Sequence, residues 1–278
     1  MLTPMLAHEP SVRLAVFVGV LAVMLLWEAL APRRAPAAGN AVRRFNNLAL
    51  VGLDTLLVRL LFPVLAVGFA ADMAQRGIGL FNAVFLPHWL AVLLAIVLLD
   101  LAIYGQHRLF HRLPWLWRLH RVHHADPAFD TTTALRFHPL EIMVSMVIKL
   151  AVVALLGAPP LAVLLFEVIL NATAMFNHGN VSLPPRIEQR LRWLLVTPDL
   201  HRVHHSVHGD EMNRNFGFNL AWWDRLLGSY CPRPQQDQRA MPFGLDQFRT
   251  RRDQWLDRML LQPLRGTVLS KQRHLIEK

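Results

Sequence analysis

The sequence predicts an all-α protein: a polytopic membrane helical bundle carrying a cytosolic histidine-rich cap. Three observations predict it. Hydrophobic residues make up 54% of the chain and charged residues 17%, against about 25% charged in an ordinary globular protein. The apolar residues gather into five long runs. The histidines cluster near the ends of those runs, at spacings that suit one face of a helix.

The runs cover 14–31, 48–71, 87–105, 140–157 and 160–177. Each is about as long as a bilayer-spanning helix requires, and mean hydropathy over the chain is +0.31. Gly157-Ala158-Pro159-Pro160 predicts a sharp turn between the last two runs. Asp54, Arg59, Asp100, Lys149 and Glu167 interrupt the runs and should face protein or water. The first run has the hydropathy of a secretory signal, but its arginine pairs, Arg33-Arg34 and Arg43-Arg44, follow it. A signal carries positive charge before its apolar core, so the run reads as a retained span.

Net charge is +10 and the isoelectric point near 11.2, which would suit a nucleic-acid binder. The placement of the charge argues otherwise: the basic residues lie in the 32–45 loop, the 108–121 segment and from 179 onward. The positive-inside rule puts these three stretches on the cytoplasmic side, with the N-terminus outside. The expected location is the cell inner membrane, with both histidine clusters on the cytoplasmic face. The expected organisation is a membrane-spanning region 1–94, a histidine-box region 95–235 that includes a transmembrane hairpin, and a basic cytosolic tail 236–278. Cys231 is the single cysteine, which excludes a disulfide framework, a cysteine zinc site and a thiolate-held iron–sulfur cluster.

Of 14 histidines, nine fall within 107–124 and 201–208. HRLFH places His107 and His111 four apart. The pentapeptide HRVHH then occurs twice, giving His120, His123 and His124, and again His201, His204 and His205. On a helix these spacings put imidazoles on one side about a turn apart. Eight imidazoles exceed the three or four ligands that one zinc ion takes, which implies two metals. Imidazole suits zinc, iron, copper and nickel alike, and the HExxH signature of zinc proteases is missing.

His178, in FNHGN, lies where the fifth run should reach the cytoplasmic face and is a ninth candidate ligand. His138, in RFHPLE, is a weaker candidate beside the turn-forming Pro139. His208 continues the face of the last box but could be solvated. His8, His88 and His274 are set aside by position. Asp100, Glu141 and Asp199 are candidates to accept the outer N–H of a metal-bound imidazole.

These boxes resemble the fatty acid hydroxylase superfamily in its sterol desaturase-like branch. The match runs through DLAIYGQHRLFH, LWRLHRVHH, TALRFHPLE, FNHGN, TPDLHRVHH and NFGFNLAWWDRLLGSY. It covers about 95–230; the rest of the chain is similar only in character. The resemblance implies a cytosolic cap holding two non-haem irons, with O2 as co-substrate. It also implies hydroxylation or desaturation of a membrane lipid: a sterol, a fatty acyl chain or a relative of these. Its ligand set carries over as His107, His111, His120, His123, His124, His178, His201, His204 and His205. Zinc is an expected substitute for iron. With no electron-carrier domain and no GxGxxG, electrons are expected from a separate electron-transfer protein. No nucleic-acid partner is expected, and the oligomeric state stays open. The alternatives are a zinc-dependent integral membrane hydrolase and, further off, a metal transporter, whose histidines would run along its spans.

Overall fold

The computed structural model describes residues 8–35 and 40–266. The helices that carry the fold are α1 (Glu9–Leu30), α2 (Asn40–Leu61), α3 (Ala66–Gln75), α4 (Leu80–Ala83), α5 (His88–Arg112), α6 (Pro114–His124), α7 (Pro139–Leu156) and α8 (Pro160–Asn177). They continue with α9 (Pro185–Leu191), α10 (Pro198–His204), α11 (Gly209–Met212), α12 (Trp222–Leu226) and α13 (Leu256–Leu261). No strand forms among the described residues, only three isolated bridges. Proline is the first residue of α6, α7, α8, α9 and α10. Its missing N–H costs nothing there and its fixed φ suits the first turn. Proline thus sets the start of every helix around the histidines except α5.

Five helical stretches are long and apolar enough to cross a membrane: Glu9–Leu30, Asn40–Ala83, His88–Arg112, Pro139–Leu156 and Pro160–Asn177. Together with the apolar surface they leave exposed, they make this an integral membrane protein. The second run does not form one helix over 48–71. It starts earlier, at Asn40, and α2 stops at Leu61 ahead of Pro63, which cannot continue the ladder. α3 and α4 then fold back against the far end of the α7–α8 hairpin. A Cβ on Gly79 would stand 2.1 Å from Gly157 N, and both glycines have positive φ, so this crossing needs two residues without side chains. Ala66, Ala70, Ala95, Leu99, Val153, Ala162, Val163 and Phe166 form the core between α3, α5, α7 and α8.

The polar residues within the runs behave as membrane burial requires, with one exception. Lys149 Nζ lies 2.6 Å and Arg13 Nη1 3.0 Å from Glu167, so one carboxylate ties α1, α7 and α8 together. Asp54 is buried. Arg59, in the last turn of α2, is exposed.

At the histidine-bearing end the chain from 113 to 138 and from 178 to 266 builds the cap. A buried ion network fastens it to the first two spans. Arg43 reaches Asp126 at 2.7 Å and also bonds Asp130, while Arg44 reaches Asp130 at 2.8 Å and Glu28 at 3.1 Å. Glu28 in turn accepts the backbone N–H groups of Thr131 and Asn180 at 2.7 and 2.8 Å. Burial would raise the Asp130 pKa, but Arg43 and Arg44 outweigh it and hold the carboxyl below its ordinary range. The expected tail is packed onto the cap as far as 266. Ser206 bridges Phe243, and Met241, Met259 and Gln262 have no exposed surface. His274 lies outside the described residues.

Removing Arg43 leaves Asp126 with no arginine and leaves Asp130 and Glu28 to share the partly exposed Arg44. Breaking a buried pair in this way costs about 3–5 kcal/mol. Arg43→Leu should therefore lower the thermal unfolding temperature in detergent sharply, read by loss of the monodisperse size-exclusion peak after heating. A change no larger than that of exposed Arg59→Leu would show that the network contributes little.

Candidate metal centre

α5 runs past its apolar stretch, so the last two turns carry His107 and His111 out of the span and into the cap. α6 and α10 bring the two HRVHH copies against them, and His178 caps the end of α8. The nine histidines are all buried and fall into two groups. His107, His111, His120, His124 and His204 form one; His123, His178, His201 and His205 form the other. Within each group, ring nitrogens lie within 4.8 Å of one another.

Each pentapeptide is split between the two groups, and the split is crossed. In α6 the first and fifth residues, His120 and His124, join the first group and His123 joins the second. In α10 the first and fifth residues, His201 and His205, join the second group and His204 joins the first. Helical geometry explains the division: residues four apart nearly superpose on one face, whereas neighbours diverge by about 100°. The fourth and fifth residues must therefore point to different places. The remaining two residues hold the helices down. Val122 and Val203 are fully buried. Arg121 donates to Gln262 O at 2.5 Å, and Arg202 donates to Gly179 O and Val181 O at 2.7 and 3.1 Å. Burial lowers both guanidinium pKa values, to about 10, which leaves them charged at neutral pH.

Hydrogen bonds define which nitrogens are free. His107 Nδ1 lies 2.8 Å from Phe216 O, His178 Nδ1 2.8 Å from Ala174 O and His204 Nδ1 2.8 Å from Arg214 O. A carbonyl only accepts, so each of these Nδ1 atoms carries the single proton of a neutral imidazole and Nε2 keeps its lone pair. His120 Nδ1 donates to Glu141 Oε1 at 2.6 Å by the same logic. The free Nε2 of His107 faces that of His120 at 3.1 Å, and the free Nε2 of His178 lies 3.1, 3.2 and 3.0 Å from the Nε2 atoms of His123, His205 and His201. His111 Nε2, His124 Nε2 and His204 Nε2 are buried with no hydrogen-bond partner.

Between His107 and His120, whose outer nitrogens are both engaged, two lone pairs converge and repel unless a cation lies between them. Nitrogens about 2.1 Å from one ion stand about 3.0–3.4 Å apart for angles between right and tetrahedral, and the observed spacings fall in that range. The residues therefore fit two metal ions, one per group.

Burial is the first reason that the imidazoles stay neutral. It pushes His120 down to about 3 and His178 to about 4. For His123, His124, His201, His204 and His205, burial and then neighbouring histidines push the pKa well below its ordinary value.

The other sequence candidates divide. Glu141 meets His120 as described. Asp100 touches no histidine. It shares the face of His107 but sits two turns deeper, where it accepts from Trp223 Nε1 at 2.8 Å. Asp199 also touches none: two positions before His201 on α10, it points about 200° away and pairs with Arg202 at 2.8 Å. His138 caps α7, accepting from Leu140 N at 3.2 Å, with Nε2 at 3.2 Å from Leu260 O. His208 caps the short α11 outside both groups. Sequence reasoning missed the aromatic shell. Phe137 stacks on His123 with ring centroids 4.5 Å apart, Phe129 lies over His178 at 5.5 Å, and Trp117 contacts His111 at 5.0 Å. Only Phe137, beside His138 in RFHPLE, lay next to a residue already singled out.

A helical membrane protein with two groups of buried imidazoles at one end of its spans defines a class, membrane proteins with a histidine-lined metal site. Residues 92–229 match the family model described as fatty acid hydroxylase, and the chain belongs to that family. Among curated relatives, it is 29% identical to an ornithine lipid hydroxylase of Rhizobium tropici over 79% of this chain and 67% of the relative. It is 27% identical to an alkylglycerol monooxygenase of Xenopus tropicalis, over 49% of this chain and 30% of that one. It is also 27% identical to a cholesterol 25-hydroxylase of Rattus norvegicus, over 50% and 46% respectively. The chain thus spans about two thirds of the first relative and less than half of the other two. No solved structure matches the chain at a significant level.

Acid should destabilise the metal-free protein. The folded pKa values of the histidines lie below the unfolded value of about 6.5, so only unfolding lets them take protons in between. Their contribution is complete above about pH 6.5 and is lost as pH falls toward 4, each ring costing up to about 1.4 kcal/mol per pH unit. Thermal melts of chelator-treated protein at pH 8, 6.5 and 5 should show a steep fall between the last two. A flat profile would mean that the rings are solvated.

Proposed function

We propose that this protein is a membrane-bound, O2-dependent lipid hydroxylase whose two irons are held by the nine histidines. The observation that carries the reading is the crossed set of Nε2 atoms, 3.0–3.2 Å apart and buried, in a chain whose relatives are named as lipid hydroxylases and monooxygenases. When bound, the irons would supply two-electron activation of O2, so that a C–H bond, O2, two electrons and two protons yield an alcohol and water. No relative supports the zinc hydrolase alternative.

The chain's own residues prepare this chemistry. Phe216 O, Ala174 O, Arg214 O and the Glu141 carboxylate hold the outer protons of four rings, which fixes each tautomer and aims Nε2 inward. Glu141 also places a carboxylate next to an otherwise uncharged donor set. Phe129, Phe137, Phe216 and Trp117 keep the space around the rings apolar, which suits a hydrocarbon substrate and excludes bulk water. The arginines of the cap and the loop 32–45 are consistent with a cytoplasmic site in the inner membrane, where a separate electron-transfer protein would deliver reducing equivalents. Zinc would replace iron readily, since imidazole accepts both.

The crossed assignment makes a specific demand. Protein from iron-replete cells should carry about two irons per chain, because the ligand count exceeds one ion's capacity. His123→Ala and His204→Ala remove ligands from different groups, so each should lower metal content and abolish O2-dependent lipid oxidation, with membrane insertion retained. His208→Ala should keep both metal and turnover. One tightly bound ion, undisturbed by either His123→Ala or His204→Ala, would refute the two-group reading, and full metal without any lipid oxidation would refute the activity.

A further inference from the structure

The stretch NFGFNLAWWDRLLGSY belongs to none of the apolar runs and supplies no histidine, yet it is built with care. Asp224 accepts from Phe216 N and Gly217 N at 2.7 and 2.8 Å and from Ser229 Oγ at 2.7 Å. A Cβ on Gly217 would come within 2.7 Å of that carboxylate. The result is a closed turn with α12 at its tip.

This turn does not sit above the spans; it descends beside them. Trp223 Nε1 and Leu220 N both donate to Asp100 Oδ2, at 2.8 and 3.2 Å. Asp100 lies twelve residues before the end of α5, about 18 Å back along the helix. On the other flank Asn177 Nδ2 donates to Phe218 O at 2.9 Å, and Asn219 meets Thr173 Oγ1 one turn further down α8. Measured from the ends of the apolar runs at Gly105 and Asn177, the turn reaches about 6–8 Å into the membrane layer. That depth is typical of an element lying at the boundary of headgroups and acyl chains.

Its outer surface has the matching chemistry. Leu226 is 72% exposed and Trp193 66%, with Trp222, Leu194 and Leu227 also exposed beside them. Leu195 bridges Leu220, which joins the two segments into one patch. Arg225 lies over the Trp193 ring at 4.3 Å, and Arg186 and Arg190 are exposed on the neighbouring α9. Tryptophan and arginine rimming an apolar patch is the composition of a membrane interface. The inner surface touches the metal centre: Phe216 O accepts from His107 Nδ1, and the Phe216 and Phe218 rings lie 5.6 and 5.3 Å from that of His107.

We propose that residues 216–227, with Trp193 and Leu194, form a wedge immersed in the leaflet on the histidine-bearing side, its outer face covered by lipid acyl chains. The Asp100–Trp223 bond sets its depth. One turn of chain then separates the acyl chains from His107, so the metal centre lies at the level of the leaflet boundary.

The test places a fluorophore on Leu226→Cys or Leu227→Cys in a Cys231→Ser background, with the full chain in phosphatidylcholine–phosphatidylglycerol nanodiscs. Val147→Cys, exposed on α7, is the lipid reference and Arg239→Cys the aqueous one. A nitroxide near the glycerol end of the acyl chain should quench positions 226 and 227 as it does a lipid-facing site. Aqueous iodide should quench them at least roughly threefold less than position 239, as immersion requires. Iodide quenching equal to that at 239 would overturn the proposal. So would protection from both quenchers, because the patch would then be covered by protein. In the same assay Asp100→Leu should raise iodide access at 226.

Discussion

His178 Nε2 stands 3.0–3.2 Å from the ring nitrogens of His123, His201 and His205, while its own proton is committed to Ala174 O. The same relation recurs between His107 and His120. Gathering so many ring nitrogens inside protein is unfavourable by itself: the rings lose water, and more lone pairs converge than the rings have protons to meet them. The cap is organised around that cost. Backbone carbonyls and Glu141 take the outer protons, aromatic rings exclude solvent, and the converging nitrogens suit cations that would turn repulsion into ligation.

Rings arranged in this way need rigid neighbours. The arginine of each HRVHH is bonded to backbone carbonyls, of Gln262 in one copy and of Gly179 and Val181 in the other. Arg136 serves similarly, donating to Val122 O at 2.7 Å and to Gln254 at 2.6 Å. Each of these bonds joins a histidine-bearing segment to chain that is distant in sequence. The Arg43–Asp126–Asp130–Arg44–Glu28 network then fixes the whole assembly to α1 and α2. Burying charge gains little net stability when every partner is present, but it penalises any arrangement that leaves one unpaired. That penalty defines how the cap sits on the spans.

The wedge at 216–227 shows how the two environments meet. One backbone turn offers a carbonyl to His107, a tryptophan N–H to Asp100 within the span, and leucines to the outside. A polar residue in an apolar helix reads as a functional site by default. At Asp100 the function is to receive a loop rather than a metal-bound ring. Its side chain is on the expected face but about 10 Å deeper than His107, as seven residues of helix require, and what fills that level is decided by the loop that packs there.

Local chemistry made much of this protein legible in its sequence. The apolar runs marked the spans, because a chain crossing a bilayer must satisfy its own backbone hydrogen bonds, as a helix does. Pro139 and Pro159-Pro160 marked turns into the last two spans. The box spacing identified eight of the nine histidines that the structure gathers, and His178 followed from its place at the end of the fifth run. What required the tertiary structure depends on contacts between distant segments. Pro63 ends α2 locally, but the return of α3 against α7 and α8 rests on the core that they share. The segment from 236 to 266 folds onto the cap because Arg121, Arg136 and Arg34 need its carbonyl and amide groups. The division of the imidazoles into five and four could not be read from two identical pentapeptides. Each helix determines only that its fourth and fifth residues diverge; which group each one joins depends on how α6 and α10 approach each other, and that approach is decided by packing.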